Sequence, residues 1–111
     1  MLTHETTEKG NATILRFSGS LDALTVPEVR PAVDRLIERG GIKVVVDMSA
    51  VTTIDSSGVA LIISLFKRLG AQKGVVRVAG VAGQPKEIFY FLRLEQALAL
   101  FPSVDEALKG F

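Results

Sequence analysis

Cysteine and tryptophan are absent from this chain of 111 residues, and histidine (His4) and tyrosine (Tyr90) occur once each. Without cysteine there is no disulfide framework, thiol nucleophile or zinc knuckle. One histidine close to the first residue is a poor base for a Ser-His-Asp triad. The acids are scattered, with no histidine at metal-ligand spacing beside them. Long apolar runs are missing too: none exceeds five residues, as in Val59–Ile63 and Ile88–Leu92, whereas a bilayer span needs roughly 20. Excess charge of one sign is also lacking. Thirteen Lys and Arg stand against twelve Asp and Glu, and they interleave along the chain, whereas nucleic-acid binders gather cations on one face. Met1 to Glu5 shows neither the basic nor the apolar region of a signal peptide. Gly80-Val81-Ala82-Gly83-Gln84-Pro85 matches neither phosphate-binding glycine pattern, and no G-x-S-x-G surrounds Ser56. By elimination these absences predict a soluble, cytoplasmic binding module with no cofactor, metal, nucleic acid or membrane insertion.

What is present is ordinary globular composition, with 48% hydrophobic and 23% charged residues, enough for one domain over residues 1–111. Thr3 to Glu8 reads as an edge strand, Lys9-Gly10-Asn11 as a turn and Ala12 to Phe17 as a second strand, together a hairpin. Gly19 to Asp22 reads as a turn. Thr25 and Glu28 match a capping box, and Val26, Val29, Val33, Leu36 and Ile37 follow at helical spacing, closed by Gly40-Gly41. Pro31 falls inside that helix, which therefore bends there or starts later. Lys43 to Met48 is a strand buried on both faces, since Val44-Val45-Val46 does not alternate. Asp47 reads as a solvated acid at its end.

A short polar link, Ser49 to Thr53, leads to a helix over about Ser57 to Leu69. Val75 to Ala79 is a strand, Gly80 to Pro85 a loop, Lys86 to Leu92 a short helix and Gln96 to Phe101 a last strand. A final helix is capped by Ser103, with Glu106 completing a second capping box. Strands alternating with helices predict a mostly parallel sheet of four or five strands with an N-terminal edge hairpin, flanked by about four helices.

The chemistry of this order concentrates at Ile54-Asp55-Ser56-Ser57-Gly58-Val59. The motif opens a helix where ligands gather in such sheets, beyond the strands' carboxyl ends. Asp and Ser satisfy first-turn amides, so a plain helix cap is one reading. A serine that accepts a phosphoryl group, held by first-turn amides and the helix dipole, is the other.

Gly19-Ser20-Leu21-Asp22, the strand Val44–Met48 and the Asp55-Ser56-Ser57-Gly58 motif, in this order over the whole chain, resemble the STAS domain and its single-domain anti-anti-sigma factors. The resemblance implies a protein that sequesters an anti-sigma factor with serine kinase activity and so frees the sigma factor. It implies that the kinase switches it off by phosphorylating Ser56, and that a metal-dependent serine phosphatase restores it. Ser57 is the fallback acceptor. The implied partner surface holds Ser20, Asp22, Asp55, Ser57 and Gly58. Two departures stand out: Ser20 occupies a position where the family often has Glu, and Ala60 one where many members carry a second glycine. The same fold also serves as an adaptor subunit of lipid-transport ABC ATPases, an alternative from a different class. A hydrolase built on Ser56 is the third reading.

Overall fold

Turn chemistry places the first two strands. Gly10 takes φ +63 in the Lys9-Gly10-Asn11 turn, a left-handed conformation open to glycine without steric cost. The chain reverses there between β1 (Leu2–Lys9) and β2 (Ala12–Leu21). The structure, a computed structural model, describes residues 2–40 and 42–111, so Gly41 of the expected helix end lies outside the described residues. After the hairpin come α1 (Val26–Arg39), β3 (Lys43–Ile54), α2 (Ser56–Ala71), β4 (Val75–Ala79) and α3 (Gly83–Phe91). A 3-10 turn (Leu94–Gln96), β5 (Ala99–Phe101) and α4 (Val104–Leu108) complete the order.

The strands form one sheet, ordered β1-β2-β3-β4-β5. β1 pairs antiparallel with β2, and every later pair is parallel. This is the expected α/β architecture. Val44, Val45 and Val46 are each 0% exposed, because the sheet is covered on both faces. On one face Val44, Val46 and Met48 join the main core, which takes the Val26, Val29, Val33, Leu36 and Ile37 stripe of α1. On the other, Val45 packs with Ala79 and with Ala107 of α4. Arg77 fastens that short helix: its Nη1 donates to the carbonyls of Ala107 and Lys109, each at 2.9 Å.

Several local expectations are corrected. Ser49 to Thr53 is not a loose link, and Gly19 to Leu21 is not a turn. β3 runs on to Ile54 beside β2, with Gly19 opposite Val51 and Leu21 opposite Ile54. Val51, Thr52, Thr53 and Ile54 are β-branched and suit an extended backbone. β4 pairs with β3 only from Lys43 to Asp47, so β2 and β3 run on past β4, with β1 still beside β2 as far as Gly19, and end as a short two-stranded ribbon of Ser20–Leu21 and Thr53–Ile54. Asp47 therefore lies inside a strand. It is 6% exposed, receives the Ser49 amide at 3.0 Å and pairs with Arg16 at 3.3 Å.

α1 does start at Val26, with Pro31 in its interior. Pro27, whose carbonyl Pro31 leaves without its helical donor, is exposed to water like Pro31 itself. α3 begins at Gly83, earlier than expected, because Pro85 falls in the first turn, where a missing N–H is harmless. Ser103 caps α4 by accepting from the Glu106 amide at 3.2 Å. Glu106 turns to Lys109 rather than back to its cap, so that capping box is half formed.

Candidate functional site

The projecting ribbon delivers two helix starts to one place. β2 ends at Leu21 and enters α1 through Asp22 to Thr25, while β3 ends at Ile54 and enters α2 through Asp55. The Asp55 amide donates to the Leu21 carbonyl at 3.2 Å, so the strand register itself sets the two starts side by side.

Asp55 joins them. It is the N-cap of α2, and its Oδ1 accepts from the amides of Ser57 at 2.9 Å and Gly58 at 3.1 Å. Its Oδ2 accepts from the Ala23 amide at 3.1 Å, across in the other helix start. Partial desolvation raises the Asp55 carboxyl, but the backbone donors at Gly58, Ala23, Ser57 and Asp55 itself outweigh it and hold its pKa below the ordinary value of 3.8. A carboxyl whose folded pKa is depressed contributes stability above its unfolded pKa and loses it as pH falls through the folded value. Asp55→Asn keeps an oxygen for the cap but loses the acceptor facing Ala23. Its melting temperature is expected below that of the wild type at pH 7, with the gap closing below pH 3.8. A gap that stays constant down to pH 2 in thermal melts would contradict this.

Asp22 organises the other start. Its Oδ1 accepts from the amides of Leu24 at 3.0 Å and Thr25 at 3.1 Å, and its carbonyl accepts from Val26 at 2.9 Å. The expected Thr25–Glu28 capping box is absent: Thr25 makes no side-chain cap. Its hydroxyl is turned inward, donating to the Ser20 carbonyl at 2.8 Å and accepting from the Asp22 amide at 2.9 Å. Asp22 instead orders the turn that precedes the helix, its side chain holding the amides of Leu24 and Thr25.

Ser56 is the first residue of α2 and is exposed. Of the amides expected to hold a phosphoryl group, those of Ser57 and Gly58 go to Asp55 Oδ1, and that of Val59 to the Asp55 carbonyl. Ser57 is half-buried and Gly58 buried. A Cβ on Gly58 would run into the Leu21 carbonyl oxygen and stand 2.6 Å from Ile54 Cγ1. Gly58 is thus the point where α2 touches β2, not an exposed contact. Ser20, half-buried, accepts from the Thr53 hydroxyl at 2.9 Å across the ribbon. His4 lies on β1 opposite Phe17, with no hydrogen bond to Ser56 among the described residues.

Sequence reading missed Gln84. Its side-chain amide accepts from Ile54 N at 2.8 Å and donates to Ile54 O at 3.0 Å, taking the place of the strand neighbour that β4 no longer provides. No spacing marks such a residue; only the overhang of β3 makes it necessary. Ile54 is 4% exposed, so Gln84→Ala strands two buried backbone groups and is expected to destabilise the fold by about 2 kcal/mol. Hydrogen exchange at the Ile54 amide is the check: it should accelerate in the variant, and unchanged protection would refute the pairing. Leu24 was also passed over. Its signal was an apolar side chain off the α1 stripe, lodged between Asp22 and Thr25.

Among the described residues, no group of three or more His, Cys, Asp or Glu could hold a metal, and no helix is long and apolar enough to cross a membrane. The arrangement offers an exposed hydroxyl and two well-anchored loops, a surface for contact.

Comparison with known proteins places this geometry. The family model described as the STAS domain matches residues 3–107. The anti-sigma-F factor antagonist RsfB of Mycobacterium tuberculosis is 24% identical over 99 residues, covering 87% of this chain and 79% of that protein. Among solved structures, an anti-sigma factor antagonist from Mycobacterium paratuberculosis superposes with a TM-score of 0.89 at 22% identity, covering 98% of this chain and 92% of the other. The Bacillus cell fate determinant SpoIIAA in its phosphorylated form does so with a TM-score of 0.75 at 20% identity, over 96% of this chain and 97% of the other. At these identities the structural likeness is one of fold.

Proposed function

This chain belongs to the STAS domain family, and we propose that it acts there as an anti-sigma factor antagonist in the cytoplasm, a regulator rather than an enzyme. Its partner is an anti-sigma factor with serine kinase activity, and the chain is switched off when that kinase phosphorylates Ser56. A metal-dependent serine phosphatase resets it. The observation that carries the reading is the position of Ser56, exposed at the start of α2 beside a carboxylate already committed to the backbone.

Phosphorylation adds about −1.5 to −2 charges and three strong acceptor oxygens. With the amides of Ser57 and Gly58 held by Asp55, those donors are not available to neutralise the added group, which stays on the surface next to Asp55. A kinase brings the phosphates of its nucleotide to the hydroxyl it modifies, so the phosphoserine meets like charge in that same contact. Such an opposition costs several kcal/mol, enough to abolish micromolar binding. No change of fold is needed.

The test is affinity capture from native lysate with wild type and Ser56→Asp as parallel baits. An ATP-binding anti-sigma kinase retained by the wild type alone is the expected result. Equal capture of a lipid-transport ATPase by both baits would overturn it in favour of the adaptor role, leaving Ser56 a helix-start residue.

A further inference from the structure

Leu24 is 85% exposed, above Phe91 at 83% and Tyr90 at 50%, and unlike them it sits in the site. Such a side chain in water is not unusual by itself, but its support is. The amides of Asp22, Ala23, Leu24 and Thr25 all have acceptors: Thr25 Oγ1, Asp55 Oδ2, and Asp22 Oδ1 for the last two. The backbone under Leu24 is therefore ordered before any partner arrives, so little ordering entropy opposes its use in binding.

The surroundings specify the kind of partner. Residues 18–28, 49–64 and 79–85, which form this end of the fold, contain Asp22, Glu28 and Asp55 and none of the chain's 13 Lys and Arg. The nearest cations, Arg30 and Lys86, stand about one turn into α1 and α3, and Arg39, Lys43, Lys67 and Arg68 lie toward the opposite ends of α1, β3 and α2. An apolar side chain rimmed by acids is complementary to an apolar socket edged by Lys or Arg.

We infer that Leu24 is the apolar anchor of this surface, inserted into a cation-edged socket on the anti-sigma factor and held in position by the Asp55–Ala23 bond. The inference rests on the function proposed above and adds the residue that supplies most of the affinity.

It is tested by calorimetric titration of the purified anti-sigma factor kinase with wild type, Leu24→Ala and Leu24→Met, each variant first checked by thermal melting. Truncating an exposed side chain leaves the melting temperature unchanged. Leu24→Ala is expected to weaken binding about thirtyfold or more, the mark of an interface hot spot, while Leu24→Met stays within about threefold, since it keeps an apolar side chain of similar size. If the wild type binds and Leu24→Ala binds equally well, the anchor is wrong and the proposed function stands. If the wild type binds no anti-sigma factor, both fall. Sedimentation showing a wild-type dimer that Leu24→Ala dissociates would assign the residue to self-association instead and overturn the inference.

Discussion

Gly58→Ala is expected to destabilise the protein by about 3 kcal/mol, near the upper end of what overpacking costs, and to lower its melting temperature by about 10 °C. The added methyl collides with the Leu21 carbonyl oxygen and comes within 2.6 Å of Ile54 Cγ1. The first is backbone of the β2–β3 ribbon, and the second belongs to the buried Ile54 side chain, so neither yields cheaply. The loss exceeds the helix propensity gained by replacing glycine, about 1 kcal/mol. Gly70→Ala is the matched control: it lies in the same helix, and its Cβ would meet nothing within 4 Å. That variant should melt at the wild-type temperature or slightly above. Equal melting of the two variants would show that the close approach of α2 to β2 is not what fixes the glycine. Because Asp55 bridges both helix starts from the residue before Ser56, Gly58→Ala should also weaken partner binding, through displacement of the loop.

Ser56→Asp has the opposite profile. The side chain is exposed at the first position of α2, where an acid is electrostatically favoured by the helix dipole. Its melting temperature should match or exceed that of the wild type. Affinity for the anti-sigma kinase should nevertheless fall about a hundredfold or more, equivalent to about 3 kcal/mol of like-charge opposition. Ser56→Ala removes the acceptor without adding charge and is expected to bind within about threefold of the wild type. Calorimetric titration separates the cases, and a Ser56→Ala variant as weak as Ser56→Asp would refute the charge switch.

How far the sequence could be read differs between the fold and the site. The α1 stripe from Val26 to Ile37 was legible because a helix declares its buried face by spacing, and the unbroken Val44-Val45-Val46 run declared a strand covered on both sides. The hairpin was legible from glycine in its turn. What could not be read was how far two strands run on together. Ser49 to Thr53 carries three hydroxyls and two apolar residues, Ala50 and Val51, which suits a loop as well as a ribbon, and only the pairing of β2 with β3 decides it. The buried state of Asp47 and the role of Gln84 follow from that length and were hidden with it.

At the site, a cap was legible in Asp55-Ser56-Ser57-Gly58 because capping is local, but which residue supplies it was not: Asp55 does, one position before α2. Its second bond, to Ala23, spans 32 positions and leaves no trace in spacing. That long-range bond changes the chemistry. It makes Asp55, which stays exposed, a brace between the two helix starts. The amides of Ser57 and Gly58, which a phosphoryl group on Ser56 was expected to use, are taken separately by the local cap bonds to Asp55 Oδ1. Thr25 shows the same effect in reverse: the local capping-box pattern is present, but the buried hydroxyl finds the Ser20 carbonyl first.

The measurement that bears most directly on this account is phosphate mapping by mass spectrometry after incubating the wild-type chain with the anti-sigma kinase and ATP. The account predicts one phosphate, on Ser56, together with dissociation of the complex formed before transfer. A phosphate on Ser57 or elsewhere, or a complex that survives modification of Ser56, would contradict it.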